Sequence, residues 1–258
     1  MNHVEINGEW AGQYPVLVIA HRGASGSAPE NTLAAFRKAL EIGADMIELD
    51  VHLSRDGEVM VIHDDAVNRR TNGTGRVADL SRAELQQLDA GGWFGEEFRA
   101  EPIPALEEVL NIVKGRMRVN VEIKTGYLGT FTMDDLVDRT LGLVESQDML
   151  ESVLFSSFYP PALQRIRVKR EEANLALLLD HPWQDSPALG EGHFRVINCA
   201  RDSVTGNSII AARESGLLVN IWTVNQEAEM EWFIRAKVNG IFTDYPERLI
   251  RLLEKQAR

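Results

Sequence analysis

Eight apolar runs typical of β-strands alternate with helical patterns along almost the whole chain, and this alternation constrains the fold more than any other feature. The runs are rich in Val, Ile and Leu, as strands covered on both faces should be. The predicted strands are Val16–Ala20, Met46–Val51, Arg118–Ile123, Ser152–Phe155, Leu175–Leu179, Arg195–Asn198, Leu218–Val224 and Gly240–Thr243. The predicted helices are Thr32–Ile42, Ala105–Val113, Asp134–Ser146, Pro161–Lys169, Ser208–Ser215, Glu227–Ala236 and Glu247–Glu254. Repeated strand–helix units favour parallel pairing, and eight strands close a barrel, so we predict an α/β fold with a single (β/α)8 barrel. A doubly wound open sheet is the alternative.

The length of the chain fits one such barrel. Barrels of this kind commonly need about 250 residues, and the chain has 258. Neither a Ser/Gly linker nor a low-complexity tract divides it. We therefore expect residues 1–258 to form a single barrel domain.

The regular alternation breaks once, at about residues 53–104, which we interpret as an insertion between barrel strand 2 and helix 2. Ser54-Arg55-Asp56-Gly57 is typical of a turn, and Glu58–His63 then predicts a second short strand. Leu80-Ser81-Arg82-Ala83-Glu84 predicts a capped helical turn. We expect this segment to pack near one mouth of the barrel.

Charge and cysteine content bound the possible partners. The 27 Lys and Arg residues against 39 Asp and Glu residues give a net charge of −12, which disfavours nucleic acid and stable association with anionic membranes. Cys199 is the only cysteine, so an intrachain disulfide is excluded. No apolar run approaches 18 residues, and the opening MNHVEINGEW lacks the pattern of a signal peptide. We expect a cytoplasmic protein with a small-molecule substrate, and the sequence leaves its oligomeric state open.

Three acidic side chains interrupt otherwise apolar strands near their carboxyl ends. Glu48 and Asp50 are two residues apart and face the same side of one strand, and Glu122 lies on the next barrel strand. Like charges about 4 Å apart would repel by roughly 4 kcal/mol at an effective dielectric constant of 20. A divalent cation removes that cost, and oxygen ligands favour Mg²⁺ or Ca²⁺. The alternative is that these acids pair with Arg or Lys, or face solvent.

Two of the six histidines are candidates for acid–base chemistry. The histidines are His3, His21, His52, His63, His181 and His193. His21 and His63 each end a predicted strand beside other polar residues, and imidazole exchanges protons near neutral pH. His52 continues the face of the two acids on its strand, but we expect the strand to leave the barrel there and interpret His52 as a non-ligand.

Arg22 and Lys124 are the cations nearest to the predicted acidic cluster, and they suit an anionic group such as phosphate. Simple charge balance against the carboxylates is the alternative. Trp222 lies in an apolar strand and is core by default, although it could also wall a site for an apolar or polyol group. Glu30-Asn31-Thr32 after Pro29 is interpreted as the capped start of a helix.

Taken in order, these residues resemble the glycerophosphodiester phosphodiesterase family. The motifs are His21-Arg22-Gly23, Pro29-Glu30-Asn31-Thr32, Glu48-x-Asp50, Asp56-Gly57, His63-Asp64, Glu122-x-Lys124, Trp222-Thr223-Val224-Asn225 and Thr243-Asp244. The stretch from Arg70-Thr71-Asn72-Gly73-Thr74-Gly75 through Leu88-Asp89-Ala90-Gly91 to Ile103-Pro104 is similar to the insertion of that family. The resemblance runs from about Val16 to Leu249. Each motif is weak alone, whereas the ordered set is specific.

The resemblance implies a (β/α)8 barrel that hydrolyses sn-glycero-3-phosphodiesters to sn-glycerol 3-phosphate and an alcohol. It implies His21 and His63 as the acid–base pair and one Mg²⁺ or Ca²⁺ ion as cofactor. The implied metal ligands are Glu48, Asp50 and Glu122, and the implied substrate contacts are Arg22, Lys124 and Trp222. Water and the glycerol 2-hydroxyl remain alternative nucleophiles. Lysophospholipid hydrolysis of the phospholipase D type and a non-catalytic barrel that binds glycerophosphodiesters remain alternative functions.

Overall fold

Eight parallel strands close into a barrel in the computed structural model, which describes residues 12–190 and 194–256. The strands are β1 (Leu17–Ala20), β2 (Met46–Leu53), β3 (Val59–Val61), β4 (Arg118–Ile123), β5 (Val153–Ser157), β6 (Asn174–Leu179), β7 (Val196–Ala200), β8 (Leu218–Trp222) and β9 (Gly240–Thr243). All except β3 belong to the barrel, in the order β1-β2-β4-β5-β6-β7-β8-β9. Because β1 pairs in parallel with both β2 and β9, the sheet has no open edge between them. The prediction of a (β/α)8 barrel is confirmed, and the open-sheet alternative is wrong.

Helices surround this sheet and follow most of its strands. They are α1 (Leu33–Ile42), α2 (Arg82–Leu85), α3 (Leu106–Val113), α4 (Met133–Ser146), α5 (Pro160–Lys169), α6 (Pro187–Gly190), α7 (Gly206–Glu214), α8 (Glu227–Arg235) and α9 (Pro246–Gln256). Within the described residues, none of these helices has both the length and the hydropathy that crossing a membrane requires. The sequence misses α6, since four residues carry no periodic pattern.

The main hydrophobic core lies between the helices and the outer face of the barrel. It combines strand residues such as Val121 and Phe155 with helix residues such as Leu110 and Leu163, all of them fully buried. Full burial of one such side chain stabilises the fold by about 1.5–3 kcal/mol. Cys199 is a free thiol inside this core, and burial raises its pKa to about 12.

The barrel interior carries a ladder of hydrogen-bonded amides. Asn220 Nδ2 donates to Asn198 Oδ1 (3.0 Å), Asn198 Nδ2 to Asn120 Oδ1 (3.3 Å), and Asn120 Nδ2 to Ser156 Oγ (2.7 Å). All four residues are buried. Because buried amides are costly unless they are paired, this ladder ties β8, β7, β4 and β5 together below the site.

Residues 54–105 lie between β2 and α3 and form the predicted insertion. β3 pairs antiparallel with the end of β2, with Val51 opposite Val61. Ser81 caps α2, and the Glu84 side chain returns the bond to the Ser81 backbone, as the capping pattern predicts. The insertion has a small apolar cluster of its own around Met60 and Leu85.

Element boundaries shift by only a few residues. The strand predicted over Leu218–Val224 ends at Trp222, because Val224 N already bonds to Phe242 O outside the regular ladder. The second short strand is three residues long rather than six, since His63 turns away from the hairpin.

Candidate active site

Three carboxylates meet at the carboxyl-terminal mouth of the barrel. Glu48 and Asp50 both project inward from β2, and the parallel register places Glu122 of β4 directly beside Asp50. One oxygen from each side chain lies within 4.8 Å of one from each of the others. Their exposed fractions are only 3%, 1% and 9%. The predicted convergence of the three acids is therefore present in the structure.

The electrostatics of this carboxylate triad favour a bound cation. Burial, together with the charge of Asp50, raises the pKa of Glu48 well above its usual range and that of Glu122 to about 7. Burial also opposes ionisation of Asp50, but Lys124 and Arg22 lower its pKa below the ordinary value. Asp50 Oδ1 is buried and accepts no hydrogen bond. A buried cluster of carboxylate oxygens, one of which has an ion-pair neighbour but no hydrogen bond, fits a hard divalent ion such as Mg²⁺ or Ca²⁺.

Arg22 and Lys124 both contact the triad. The Arg22 backbone N–H donates to Glu48 Oε2 (2.9 Å), and its guanidinium Nε lies 3.5 Å from Asp50 Oδ2. Lys124 Nζ lies 2.8 Å from Glu122 Oε1 and 3.3 Å from Asp50 Oδ1. The two cations therefore balance charge, as the alternative interpretation holds. Both also line the mouth cavity, so they remain placed to meet an anion.

His21 follows β1 and is held by a carboxylate from the far end of the sequence. Its Nδ1 lies 2.7 Å from Asp244 Oδ1, just after β9. Asn225 Nδ2 donates to Asp244 Oδ2 (2.6 Å), and Ser25 Oγ lies 3.0 Å from Asp244 Oδ1. These bonds fix the orientation of the carboxylate. The Nδ1 of His21 therefore faces Asp244, and Nε2 is the ring nitrogen that has no hydrogen bond among the described residues.

His63 follows the β2–β3 hairpin and is held by its own neighbour in the sequence. Its Nδ1 lies 2.6 Å from Asp64 Oδ1. The Arg69 Nε donates to Asp64 Oδ2, and Arg69 Nη2 reaches Glu30 Oε1 at 2.8 Å. Burial, together with the charges of Arg22 and Lys124, lowers the pKa of His63 despite the opposing effects of Asp50 and Asp64. The neutral ring thus has Nε2 as its free nitrogen.

Both histidines line a cavity of about 200 Å³, which we call the mouth cavity. Trp222 forms part of its wall and donates Nε1–H to the Asn198 carbonyl (2.9 Å). Its ring packs edge-to-face against Phe158, with 5.7 Å between the ring centroids. The lining residues are His21, Arg22, Glu48, His63, Asn120, Glu122, Lys124, Ser156, Phe158, Leu178, Trp222 and Phe242. The lining combines charged and polar side chains with the apolar Phe158, Leu178, Trp222 and Phe242, so the cavity suits a small anion that carries an organic substituent.

The other histidines lie outside this arrangement or cannot be placed. His52 is buried in β2, and its Nε2 donates to the His63 carbonyl (3.1 Å) rather than joining the triad. Burial lowers the pKa of His52. His181 is exposed. His3 and His193 lie outside the described residues.

The segment after Pro29 does more than begin a helix. Thr32 caps α1 as predicted, but Asn31 Nδ2 donates to Asp50 Oδ2 (2.8 Å), and Glu30 Oε1 accepts from Arg22 Nη1 (3.0 Å). The capping pattern explains only Thr32. Two sequence signals point to Glu30 and Asn31: they belong to the Pro29-Glu30-Asn31-Thr32 motif of the family resemblance, and they lie close to Arg22 in the same βα loop.

Comparison with known proteins gives a consistent result over nearly the whole chain. The model of the glycerophosphoryl diester phosphodiesterase family matches residues 21–248. A protein of Caldanaerobacter subterraneus subsp. tengcongensis named glycerophosphodiester phosphodiesterase is 39% identical over 249 residues, covering 93% of this chain and 98% of the relative. One of the same name from Bacillus altitudinis is 36% identical, covering 92% and 98%.

Solved structures show the same likeness. An Oleispira antarctica phosphodiesterase in complex with the product sn-glycerol-3-phosphate is 29% identical, with a TM-score of 0.86, and the match covers 93% of this chain and 97% of that one. The glycerophosphodiester phosphodiesterase of Agrobacterium tumefaciens is 32% identical, with a TM-score of 0.79 and coverage of 92% and 99%.

Proposed function

The chain belongs to the glycerophosphoryl diester phosphodiesterase family, and we propose that it hydrolyses sn-glycero-3-phosphodiesters to sn-glycerol 3-phosphate and an alcohol. The observation that carries the proposal is the pair of histidines, each bound through Nδ1 to its own carboxylate, that line the same cavity as Glu48 and Glu122 of the acidic triad. The product complex of the Oleispira antarctica relative supports the same class of substrate.

The two imidazoles supply the proton transfers. A phosphodiester resists hydrolysis because its negative charge repels nucleophiles and its alkoxide leaves poorly. In the proposed reaction, Nε2 of one histidine takes a proton from the nucleophile, and Nε2 of the other donates a proton to the leaving oxygen. Such general acid–base catalysis contributes about 10²–10⁴-fold. The nucleophile is water or the glycerol 2-hydroxyl. A substrate without that hydroxyl tests the second route, since unimpaired turnover excludes it.

In the proposed reaction, the triad and the two cations stabilise the negative charge of the phosphoryl group. Glu48, Asp50 and Glu122 would hold one divalent ion, Mg²⁺ or Ca²⁺, which when bound would polarise a phosphoryl oxygen. Arg22 can grip phosphate with two donors, and Lys124 adds a point charge beside it. Trp222 would line the glycerol side. In this scheme the guanidinium and ammonium groups stabilise charge that develops on the phosphoryl oxygens.

Release of sn-glycerol 3-phosphate from glycerophosphocholine tests the proposal directly. We expect turnover by the purified protein, loss of turnover after EDTA treatment, and recovery when Mg²⁺ or Ca²⁺ is added back. Absence of product under every metal condition would favour the non-catalytic barrel, and full activity in EDTA would exclude the metal.

Glu122→Ala tests the ligand set separately. The variant removes one of three carboxylates from the triad, so we expect metal titration to show weaker binding, by at least about tenfold. An unchanged titration curve would remove Glu122 from the set.

A second candidate is hydrolysis of lysophospholipids at the same site. A groove of about 470 Å³ adjoins the mouth cavity and shares Phe158 and Leu178 with it. Its other lining is mostly apolar, and the polar Asp180, His181 and Ser186 lie among Pro160, Leu177, Leu179, Pro187 and Ala188. An acyl chain could lie there. Turnover of lysophosphatidylcholine at a rate similar to that of glycerophosphocholine would favour this candidate, and a large preference for glycerophosphocholine would favour the first.

The remaining sequence-based expectations stay predictions. They are a single domain over residues 1–258, a cytoplasmic location and the absence of nucleic-acid and stable membrane partners.

A further inference from the structure

Arg69 of the insertion bridges two carboxylates that come from different parts of the fold. Its Nη2 donates to Glu30 Oε1 (2.8 Å) in the loop after β1. The same guanidinium donates through Nε to Asp64 Oδ2, and its Nη2 lies 3.3 Å from Asp64 Oδ1. Arg69 is not among the residues that line the mouth cavity, so its contacts with the site are indirect.

Each of these carboxylates holds one of the candidate site residues. Asp64 Oδ1 lies 2.6 Å from His63 Nδ1. Glu30 Oε1 accepts from Arg22 Nη1 at 3.0 Å. Arg69 is therefore one hydrogen bond away from the group that orients the histidine and one away from the group that orients the arginine.

The charges of this cluster explain why an arginine is needed between the two acids. Burial opposes ionisation of Glu30, but Arg22 and Arg69 hold its pKa below the ordinary value. The pKa of Asp64 is about 2, since Arg69 and His63 outweigh its partial burial. Both groups are thus anions near neutral pH. Without a cation between them they would repel each other, and each could rotate away from its partner.

We infer that Arg69 is a positioning residue that fixes His63 through Asp64 and Arg22 through Glu30. The inference rests on the proposed phosphodiesterase activity and extends it to a residue outside the cavity. Arginine suits this role because its planar fork offers several donors in fixed directions, whereas lysine offers one point charge.

The contact of Arg69 with Asp64 and its contact with Glu30 should affect different kinetic constants. Among the described residues, Asp64 bonds to Arg69 and His63 alone, so loss of Arg69 frees it to rotate and the histidine loses its fixed orientation. That loss acts on the chemical step. Glu30 keeps Arg22 and the nearby Arg70, whose Nε lies 3.2 Å from Glu30 Oε2. The contact between Glu30 and Arg22 therefore loosens less, and its loosening mainly weakens substrate binding.

Kinetics of Arg69→Met test the inference. We expect kcat for glycerophosphocholine to fall about tenfold and KM to rise about two- to threefold, as for loss of a transition-state contact and of a weaker binding contact. The matched control is Arg76→Met, which removes another guanidinium of the insertion, one that pairs with Asp65 at 2.8 Å. We expect its constants to stay within about twofold of wild type. An equal loss in both variants would mean a general loosening of the insertion and would overturn the inference.

A double-mutant cycle with Asp64→Asn shows whether the effect passes through that carboxylate. We expect Arg69→Met to lower kcat less than about twofold in the Asp64→Asn background, while the rise in KM persists. Additive losses of kcat would overturn the assignment. Arg69→Lys should be intermediate, because it keeps the charge but not the two-sided contact. Wild-type constants in Arg69→Lys would also overturn it. Failure of the proposed function itself is distinguishable, since the wild-type protein would then release no glycerol 3-phosphate.

Discussion

The two histidines of the site are held in different ways by the barrel and by the insertion. His21 belongs to the barrel, and its partner Asp244 is fixed by Asn225 and by the loop after β1. His63 lies where the insertion leaves the barrel, and its neighbour Asp64 depends on Arg69. The first arrangement uses half-buried groups that directly follow adjacent strands. The second uses an arginine side chain that is 39% exposed.

This difference shows how one site can combine a rigid part, on the barrel side, with a part whose contacts can rearrange, on the insertion side. Bonds among strand-end residues are fixed by the register of the sheet, which cannot slip without turning side chains to the other face. Bonds to a partly exposed arginine can rearrange at small cost, because such ion pairs contribute only about 0–1 kcal/mol. We therefore expect changes on the barrel side to cost more activity than matched changes on the insertion side.

Removal of either imidazole should have the largest effect and should erase the difference between the two sides. We expect His21→Ala and His63→Ala each to lower kcat by about 10²–10⁴-fold, as for loss of a general acid or base. Circular dichroism should show that both variants stay folded. Near-normal turnover in one of them would remove that histidine from the acid–base pair.

Replacing the carboxylates that hold the two histidines, Asp244 and Asp64, should lower kcat by different amounts on the barrel side and the insertion side. In Asp244→Asn, the Asn225 amide would still donate to the oxygen position it meets now, so the new NH₂ group would face His21 Nδ1 and disfavour the required tautomer. We expect kcat to fall about 100-fold, and only about tenfold in Asp64→Asn, where Arg69 can adjust. Steady-state kinetics of the pair checks this order. A larger loss in Asp64→Asn would reverse our comparison.

Acid sensitivity gives a smaller effect that belongs to the insertion side. Because the pKa of Asp64 is lowered to about 2 in the folded protein, its contribution to stability is present above about pH 4 and is lost as the pH falls toward 2. The contribution is at most about 2 kcal/mol. Urea unfolding at pH 5 and pH 3 should show a greater loss for wild type than for Asp64→Asn. Equal losses would show that the pair is too solvated to matter.

The smallest effect should come from one of the redundant bonds on the barrel side. Ser25→Ala removes the hydroxyl near Asp244, while Asn225 continues to hold the carboxylate. The Ser25 hydroxyl also lies 2.7 Å from the His21 carbonyl oxygen, and its single proton is shared between these two acceptors, so we expect kcat to fall no more than about two- to threefold. A loss comparable to that of Asp244→Asn would show that Ser25 sets the carboxylate's orientation by itself.

Much of this arrangement follows from local sequence patterns. Apolar runs predict the strands, and the two-residue spacing of Glu48 and Asp50 predicts a shared face, because successive strand residues alternate sides. The position of Glu122 beside Asp50 needs only the parallel order of neighbouring strands. The sequence thus predicts the barrel and the convergence of the acidic triad.

The side chains that bond to one another at the site could not be predicted in the same way. Asp244 lies 223 residues from His21, and no periodic pattern links them. Arg69 and Glu30 are brought together by the path of the insertion, which contains 3₁₀ turns and loops rather than regular elements. The sequence predicts Asn31 as part of a helix cap because Asn is common there, whereas its side chain bonds to Asp50. Tertiary packing, not local preference, decides these contacts.

The bond between His21 and Asp244 joins β1 to β9, the two strands whose pairing completes the barrel. Contacts between such distant positions form late, since the entropy of ordering the intervening chain must be overcome first. The eight other described strands precede β9 in the chain, so they are made before this imidazole can acquire its carboxylate. Closure of the barrel and completion of the His21–Asp244 pair are thus a single event, and full hydrolytic activity depends on the docking of β9.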